Sequence, residues 1–352
     1  MDAVMTDHAL MAAVGLFGGV LLGLAARIGR FCSLGAIEDV LYAGSDRRLR
    51  MWGVAIGLAV AGSFGAGALG FADLSSSIYL AQAWNPLASI VGGLLFGYGM
   101  ALAGNCGYGA IARLGGGDLR SFVIVLVMGV ATFVVLSGPL ASLRVALFPT
   151  DLAAAGREPG LAHGLARMTG VPLAATGIAA GLLIALASAA GREIRGDAKA
   201  LAWSAVVALA VVSAWVGTSA ITAQSFEPLG VQSHTYSAPL GETILWFMTA
   251  SGRPLSFAVG SVAGVWLGAF LGSVRLGHFR WEACEDPREL RRQIVGAALM
   301  GGGAVVAMGC TVGQGLSAFS VLAFSAPVTA AAIFAGAALG LRHLIWGFSP
   351  AE

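Results

Sequence analysis

The chain has 352 residues, of which 57% are hydrophobic and only 11% charged, with a formal net charge of +2. A soluble domain carries roughly 25% charged residues, so this composition excludes a globular domain surrounded by water. The small net charge, with no Lys/Arg–aromatic cluster, excludes a nucleic-acid partner.

The N-terminal sequence MDAVMTDHAL holds two aspartates and no Lys or Arg. It lacks the positive n-region of a cleaved signal peptide, so the first apolar stretch reads as a retained span. Nine stretches are long and apolar enough to cross about 30 Å of hydrocarbon: residues 9–27, 51–71, 87–104, 120–140, 172–190, 200–218, 254–273, 293–309 and 321–341. With the N-terminus outside, Arg144, Arg157, Arg167 and Arg253 fall on the outer side, and the remaining sixteen of the 20 Lys/Arg fall inside. That bias follows the positive-inside rule. It predicts a multi-pass protein of the bacterial inner membrane, with a periplasmic N-terminus and a cytoplasmic C-terminus.

An internal repeat lies within the chain. Residues 90–109, IVGGLLFGYGMALAGNCGYG, match 294–313, IVGAALMGGGAVVAMGCTVG, at a constant offset of 204; nine of the twenty positions are identical, including the cysteine and four glycines. A weaker match at offset 203 places Ala55, Gly57, Gly65 and Ala66 over Ala258, Gly260, Gly268 and Ala269. The expectation is one transmembrane domain, 1–352, with repeat 1 over 9–140, a connecting helix over 172–190 and repeat 2 over 200–341. Four spans plus one connector is odd, so the second repeat enters the membrane inverted. Inverted repeats are an architecture of secondary transporters, whose sites lie at the repeat interface.

Chemistry is expected where the third and eighth spans run into glycine-cysteine turns. These are Gly104-Asn105-Cys106-Gly107 and Gly309-Cys310-Thr311. The following stretches, Tyr108–Leu114 and Val312–Ala318, are too short to cross and too apolar for exposed loops, so they read as re-entrant. Irregular backbone at that depth persists only when buried in protein or lining a cavity. Arg30-Phe31-Cys32-Ser33-Leu34-Gly35 reads as a third such segment. Its counterpart falls in His234–Glu242, within the nearly uncharged stretch Ile221–Trp246, and has no cysteine. Thiols are weak donors and polarizable, suited to soft sulfur, and glycine turns expose N–H groups to anions. Together they describe a path for an anion with a terminal sulfur.

Other residues carry plainer readings. Arg27, Arg30 and Arg113 read as orientation charges, and Cys284 as a filler in a charged loop. Asn105 and Gln314 either hydrogen-bond an anion or satisfy the loop backbone. The histidines are not read as ligands. No CxxC or Cys/His spacing suggests a metal, and no cofactor or proton relay is indicated, since Glu38, Asp39 and Glu242 lie at segment ends.

The run Gly309-Cys-Thr-Val-Gly-Gln-Gly-Leu-Ser317, the turn Gly104-Asn-Cys-Gly-Tyr-Gly109 and the segment Arg30-Phe-Cys32 resemble the motifs of the YeeE/YedE family of bacterial membrane proteins. The resemblance covers nearly the whole chain. It implies an all-α membrane protein with about nine transmembrane helices and short re-entrant helices around an hourglass-shaped centre. It also implies inward passage of thiosulfate, received by Cys310, held by Cys106 and passed on by Cys32 through S–H···S hydrogen bonds. A small cytosolic sulfur carrier resembling TusA is the implied protein partner. The residues expected at the path are Cys32, Cys106, Cys310, Gly104, Asn105, Gly107, Gly309, Thr311 and Gln314. Two alternatives stay open: a membrane-embedded sulfurtransferase using a reactive cysteine, or a transporter of a selenium compound.

Overall fold

Apolar side chains in lipid leave the backbone no partner but itself, so a spanning chain of this composition folds as helices. The structure, a computed structural model, describes residues 2–149, 160–283 and 286–346. The helices in chain order are α1 (Asp2–Arg27), α2 (Ser33–Glu38), α3 (Arg47–Ala68), α4 (Ile78–Ala81), α5 (Pro86–Ala103), α6 (Gly107–Gly115), α7 (Leu119–Leu136) and α8 (Ala141–Leu147). They continue with α9 (Leu161–Thr169), α10 (Leu173–Ala189), α11 (Ala198–Thr222), α12 (Ala238–Thr249), α13 (Phe257–Arg275), α14 (Pro287–Val306) and α15 (Ser325–Trp346). Two π-helical turns, Asp39–Ala43 and Gly313–Ala318, interrupt the pattern. No strand occurs among the described residues, and the protein is an all-α membrane protein.

Each of the nine stretches marked in the sequence coincides with a helix: α1, α3, α5, α7, α10, α11, α13, α14 and α15. Among the described residues, seven helices are long and apolar enough to cross a membrane by themselves, or eight if the sharply bent pair α9–α10 is one span. The two marked stretches that fall short have local reasons. Helix α10 has only 17 residues. Helix α14 opens with Arg288, Glu289, Arg291 and Arg292, which leaves a short apolar remainder. The ends are set by caps: Asn85 accepts from the Ala88 N–H at 3.1 Å with Pro86 beginning α5, and Gly104 ends it in the left-handed region at φ 76°. A left-handed residue after the last turn releases the chain from the helix, and glycine does so without a Cβ clash.

Small residues bring the helices together. The most extensive pairings are α1 with α13, α5 with α15, α3 with α10, α5 with α14, α7 with α14, α3 with α11 and α1 with α11. In the α5/α14 crossing Gly92 lies against the Gly303 carbonyl and Gly99 against the Gly296 carbonyl, so the two helices run antiparallel. The α1/α11 crossing is antiparallel too: Val14 meets Gly217, and Trp203 meets Gly29. A methyl group at Gly92, Gly99, Gly296 or Gly303 would collide with the facing backbone, and close backbone approach of this kind is how membrane helices gain packing energy without a hydrophobic drive.

Candidate functional site

The three expected cysteines sit in one local geometry. Cys32 N-caps α2 and its sulfur accepts the Gly35 N–H at 3.5 Å. Cys106 N-caps α6 and accepts the Gly109 N–H at 3.4 Å. Cys310 precedes a short helix over 311–320 and accepts the Gly313 N–H at 3.5 Å. A side chain placed just before a helix commonly satisfies the N–H three residues on. With the sulfur lone pairs engaged this way, each S–H is left as a donor. All three are free thiols; Cys106 and Cys310 are buried and Cys32 is partly exposed.

The turns that carry the thiols adjoin one another, and Asn105 and Gly109, on either side of Cys106, line one cavity with Cys32. Cys106 lies within electrostatic reach of both Cys32 and Cys310. Tyr236 stands between the two buried ones. Its N–H donates to the Cys310 sulfur at 3.2 Å, and its carbonyl lies so near Gly107 that a Cβ there would sit at 2.9 Å. Its ring meets that of Tyr108 with centroids 5.5 Å apart, and the Tyr108 hydroxyl donates to the Leu22 carbonyl at 2.6 Å. The Thr235 hydroxyl adds a further contact to Cys310 at 3.6 Å.

Thr235 and Tyr236 were not among the expected site residues. They fall in the cysteine-free stretch predicted as the counterpart of the Cys32 segment. The signal was the repeat offset itself: adding 204 to Cys32 gives Tyr236. His234 in the same stretch is fully buried, with Nδ1 2.7 Å from the Ser261 hydroxyl, which in turn donates to the Tyr236 hydroxyl at 3.1 Å. This network fixes the ring whose backbone touches Cys310.

The polar residues beside the cysteines divide. Gln314 donates through Nε2 to the Ala307 and Met308 carbonyls at 2.9 and 3.2 Å, and its Oε1 accepts from Ser325. Its amide therefore holds the turn. Asn105 is buried and its Oδ1 has no hydrogen-bond partner; it lines a cavity with Cys32. The Thr311 hydroxyl, also buried and unpartnered, lines a separate small apolar cavity against Trp52. Gly104 takes the left-handed position of the first turn, but in the second that position belongs to Met308, at φ 56°, rather than to Gly309. Cys284 lies outside the described residues.

The arginines read as orientation charges share one place. Arg27, Arg30 and Arg113, together with Arg48, converge on the cavity of about 460 Å³ that Cys32 lines. These arginines come from three separate stretches of sequence, so only the fold assembles them. Among the described residues, no group of His, Cys, Asp or Glu is arranged to hold a metal.

The model of the sulphur transport family matches residues 28–339, most of the chain. The protein belongs to that family. Two curated members are similar along nearly their whole length. The thiosulfate transporter TsuA of Escherichia coli strain K12 is 28% identical over 320 residues, covering 86% of each chain. The thiosulfate transporter TsuA of Spirochaeta thermophila is 27% identical over 323 residues, covering 88% of this chain and 92% of its own. Family membership agrees with the resemblance seen in the glycine-cysteine motifs, and it makes this chain a membrane protein of sulfur transport.

Proposed function

We propose that the protein is an inner-membrane permease for thiosulfate or a closely related sulfur anion, which passes inward along Cys310, Cys106 and Cys32. The carrying observation is the shared geometry of the three thiols: Tyr236 joins the Cys310 sulfur to the Cys106 turn, and Asn105 and Gly109 of that turn line one cavity with Cys32. Backbone N–H groups occupy each sulfur, so each S–H is aimed away from its own turn and offers a weak donor to a polarizable terminal sulfur. A hard oxyanion such as sulfate gains less from such donors than from arginine. The names of the two similar transporters support the same substrate.

Inverted repeats supply the frame for this reading. Exchanging the first four expected spans with the last four turns α1–α13 into α11–α3, and α5–α15 into α14–α7; all four pairings occur. At offset 204, Gly92 corresponds to Gly296 and Gly99 to Gly303. The contacts Gly92–Gly303 and Gly99–Gly296 are thus related by the same exchange, as across a two-fold axis. Antiparallel crossing of corresponding helices favours the inverted arrangement over a parallel one. The charge bias supports a cytoplasmic position for Cys32, where a small sulfur carrier resembling TusA would meet the incoming anion.

The experiment is uptake of labelled thiosulfate into proteoliposomes, with sulfate and selenite as competitors. The expected result is uptake that unlabelled thiosulfate blocks and an equal concentration of sulfate does not. Absence of uptake, or equal inhibition by sulfate, contradicts the proposal.

A further inference from the structure

The cavity beside Cys32 has a composition that the thiol path does not require. Four guanidinium groups border it, from Arg27, Arg30, Arg48 and Arg113. Arg48 is paired with Asp39 at 3.0 Å, and Glu38 lies within electrostatic reach of Arg48 and Arg113. Four cations against two carboxylates leave an excess of two positive charges around one opening. Arg30 and Arg113 make no ion pair among the described residues. Arg27 donates to the His278 carbonyl at 3.4 Å, but its Nε is buried without a partner.

Arg30 also occupies an unfavourable backbone position. It follows α1 at φ 53°, with the Phe31 N–H bonded back to the Ala25 carbonyl at 3.1 Å. This helix ending favours glycine, and a side chain in the left-handed region strains the backbone. A bare orientation charge serves equally well one residue away in relaxed backbone. The buried Asn105, with its unpartnered amide oxygen, lines the same space from the Cys106 turn.

We propose that this cavity is an anion-holding vestibule for a small doubly charged sulfur oxyanion. Arg30 and Arg113 take its oxygen end, and Cys32 faces its outer sulfur. Planar guanidinium groups fit the oxygens of such anions in pairs, while the weak thiol donor favours the sulfur. A walled cleft with excess charge of one sign concentrates ions of the other. The inference rests on the permease reading only for the direction of travel; binding in the vestibule stands by itself.

Cys32 is its own reporter. The purified full-length protein is treated with a negatively charged sulfonatoethyl methanethiosulfonate or a positively charged trimethylammonioethyl methanethiosulfonate, and modification of Cys32 is followed by peptide mass mapping. In each case the thiol sulfur displaces methanesulfinate, forming a mixed disulfide and releasing a proton to buffer. At low ionic strength, with each rate divided by that reagent's rate with a free small thiol, the anionic reagent is expected to be favoured at least about tenfold over the cationic one, within the range of electrostatic focusing. Arg30→Gln with Arg113→Gln should bring the ratio close to one, Arg113→Lys should keep it high, and thiosulfate should slow modification more in the parent than in that double variant, a comparison in which its own reaction with the reagent cancels.

Equal normalised rates in the parent protein overturn the vestibule. So does a ratio unmoved by the glutamine changes, or thiosulfate protection no greater in the parent than in the double variant. A preserved charge preference in a protein that fails to take up thiosulfate would instead reject the permease reading and leave the vestibule standing.

Discussion

The backbone N–H of Tyr236 donates to the Cys310 sulfur at 3.2 Å, while the carbonyl of the same residue rests against Gly107 beside Cys106. One peptide unit on each side of Tyr236 therefore ties the second buried thiol to the turn that carries the first. Its position is held by the ring contact with Tyr108 and by the Ser261–His234 network. Two turns 204 residues apart in sequence become one centre through this residue.

Gly107→Ala tests that approach. The added methyl would meet the Tyr236 carbonyl and the Met128 sulfur. Methionine can move, but the backbone carbonyl cannot, and overpacking of this sort costs typically about 1–3 kcal/mol. Thiosulfate uptake should fall by more than tenfold while size-exclusion chromatography still shows folded protein. Uptake at the parental rate would show that the contact has slack.

Thr235→Val removes the hydroxyl 3.6 Å from Cys310 with little change of shape. A hydrogen bond is worth about 1 kcal/mol net, so the initial uptake rate at low thiosulfate should drop several-fold. Thr235→Ser should recover most of it. If valine and serine behave alike, the hydroxyl plays no part at Cys310.

Gly92→Ala and Gly99→Ala test the central crossing of α5 and α14. Each Cβ would press on backbone atoms of α14, so each change should lower the thermal midpoint in detergent. The two share one interface, and neighbouring sites are seldom additive; the double variant should lose less than the sum. A double variant as stable as the parent would contradict the close crossing.

Away from the membrane core, Asp197 caps α11 and pairs with Arg47 at 2.6 Å, joining α11 to α3. The Ala200 N–H, and then Arg47, hold its carboxyl below the usual carboxylate range. A depressed folded value stabilises the protein above the unfolded pKa of about 3.9, and the effect is lost as pH falls through the folded value. Asp197→Ala should therefore lower the thermal midpoint at pH 7, with loss of the cap alone costing about 1 kcal/mol. The gap to the parent should narrow in acid. A gap that widens on acidification would reverse the assignment.

Much of this arrangement could be read from residue order alone. Apolar runs located the helices because hydrocarbon demands length and self-satisfied backbone, and the Gly-Cys repeat located Cys106 and Cys310 because turn chemistry is local. Residues grouped only by convergence were not legible. Arg27, Arg48 and Arg113 look alike as loop-end cations until α1, α3 and α6 bring them around Cys32. Tyr236 meets Cys310 through its backbone N–H, which every residue but proline has, so its identity gave no sign. Met308 in the left-handed position shows a third limit, because that backbone favours glycine and a methionine gives no sign of it.

The central claim is that sulfur in these turns carries the anion, and Cys106→Ser tests it most directly. Serine is a good N-cap, so it can keep the bond from the Gly109 N–H and the start of α6 while losing the polarizable sulfur. Initial rates of labelled thiosulfate uptake into proteoliposomes, compared with the parent at equal reconstituted protein, give the answer. The account predicts a folded protein with uptake close to background; uptake at the parental rate would contradict it.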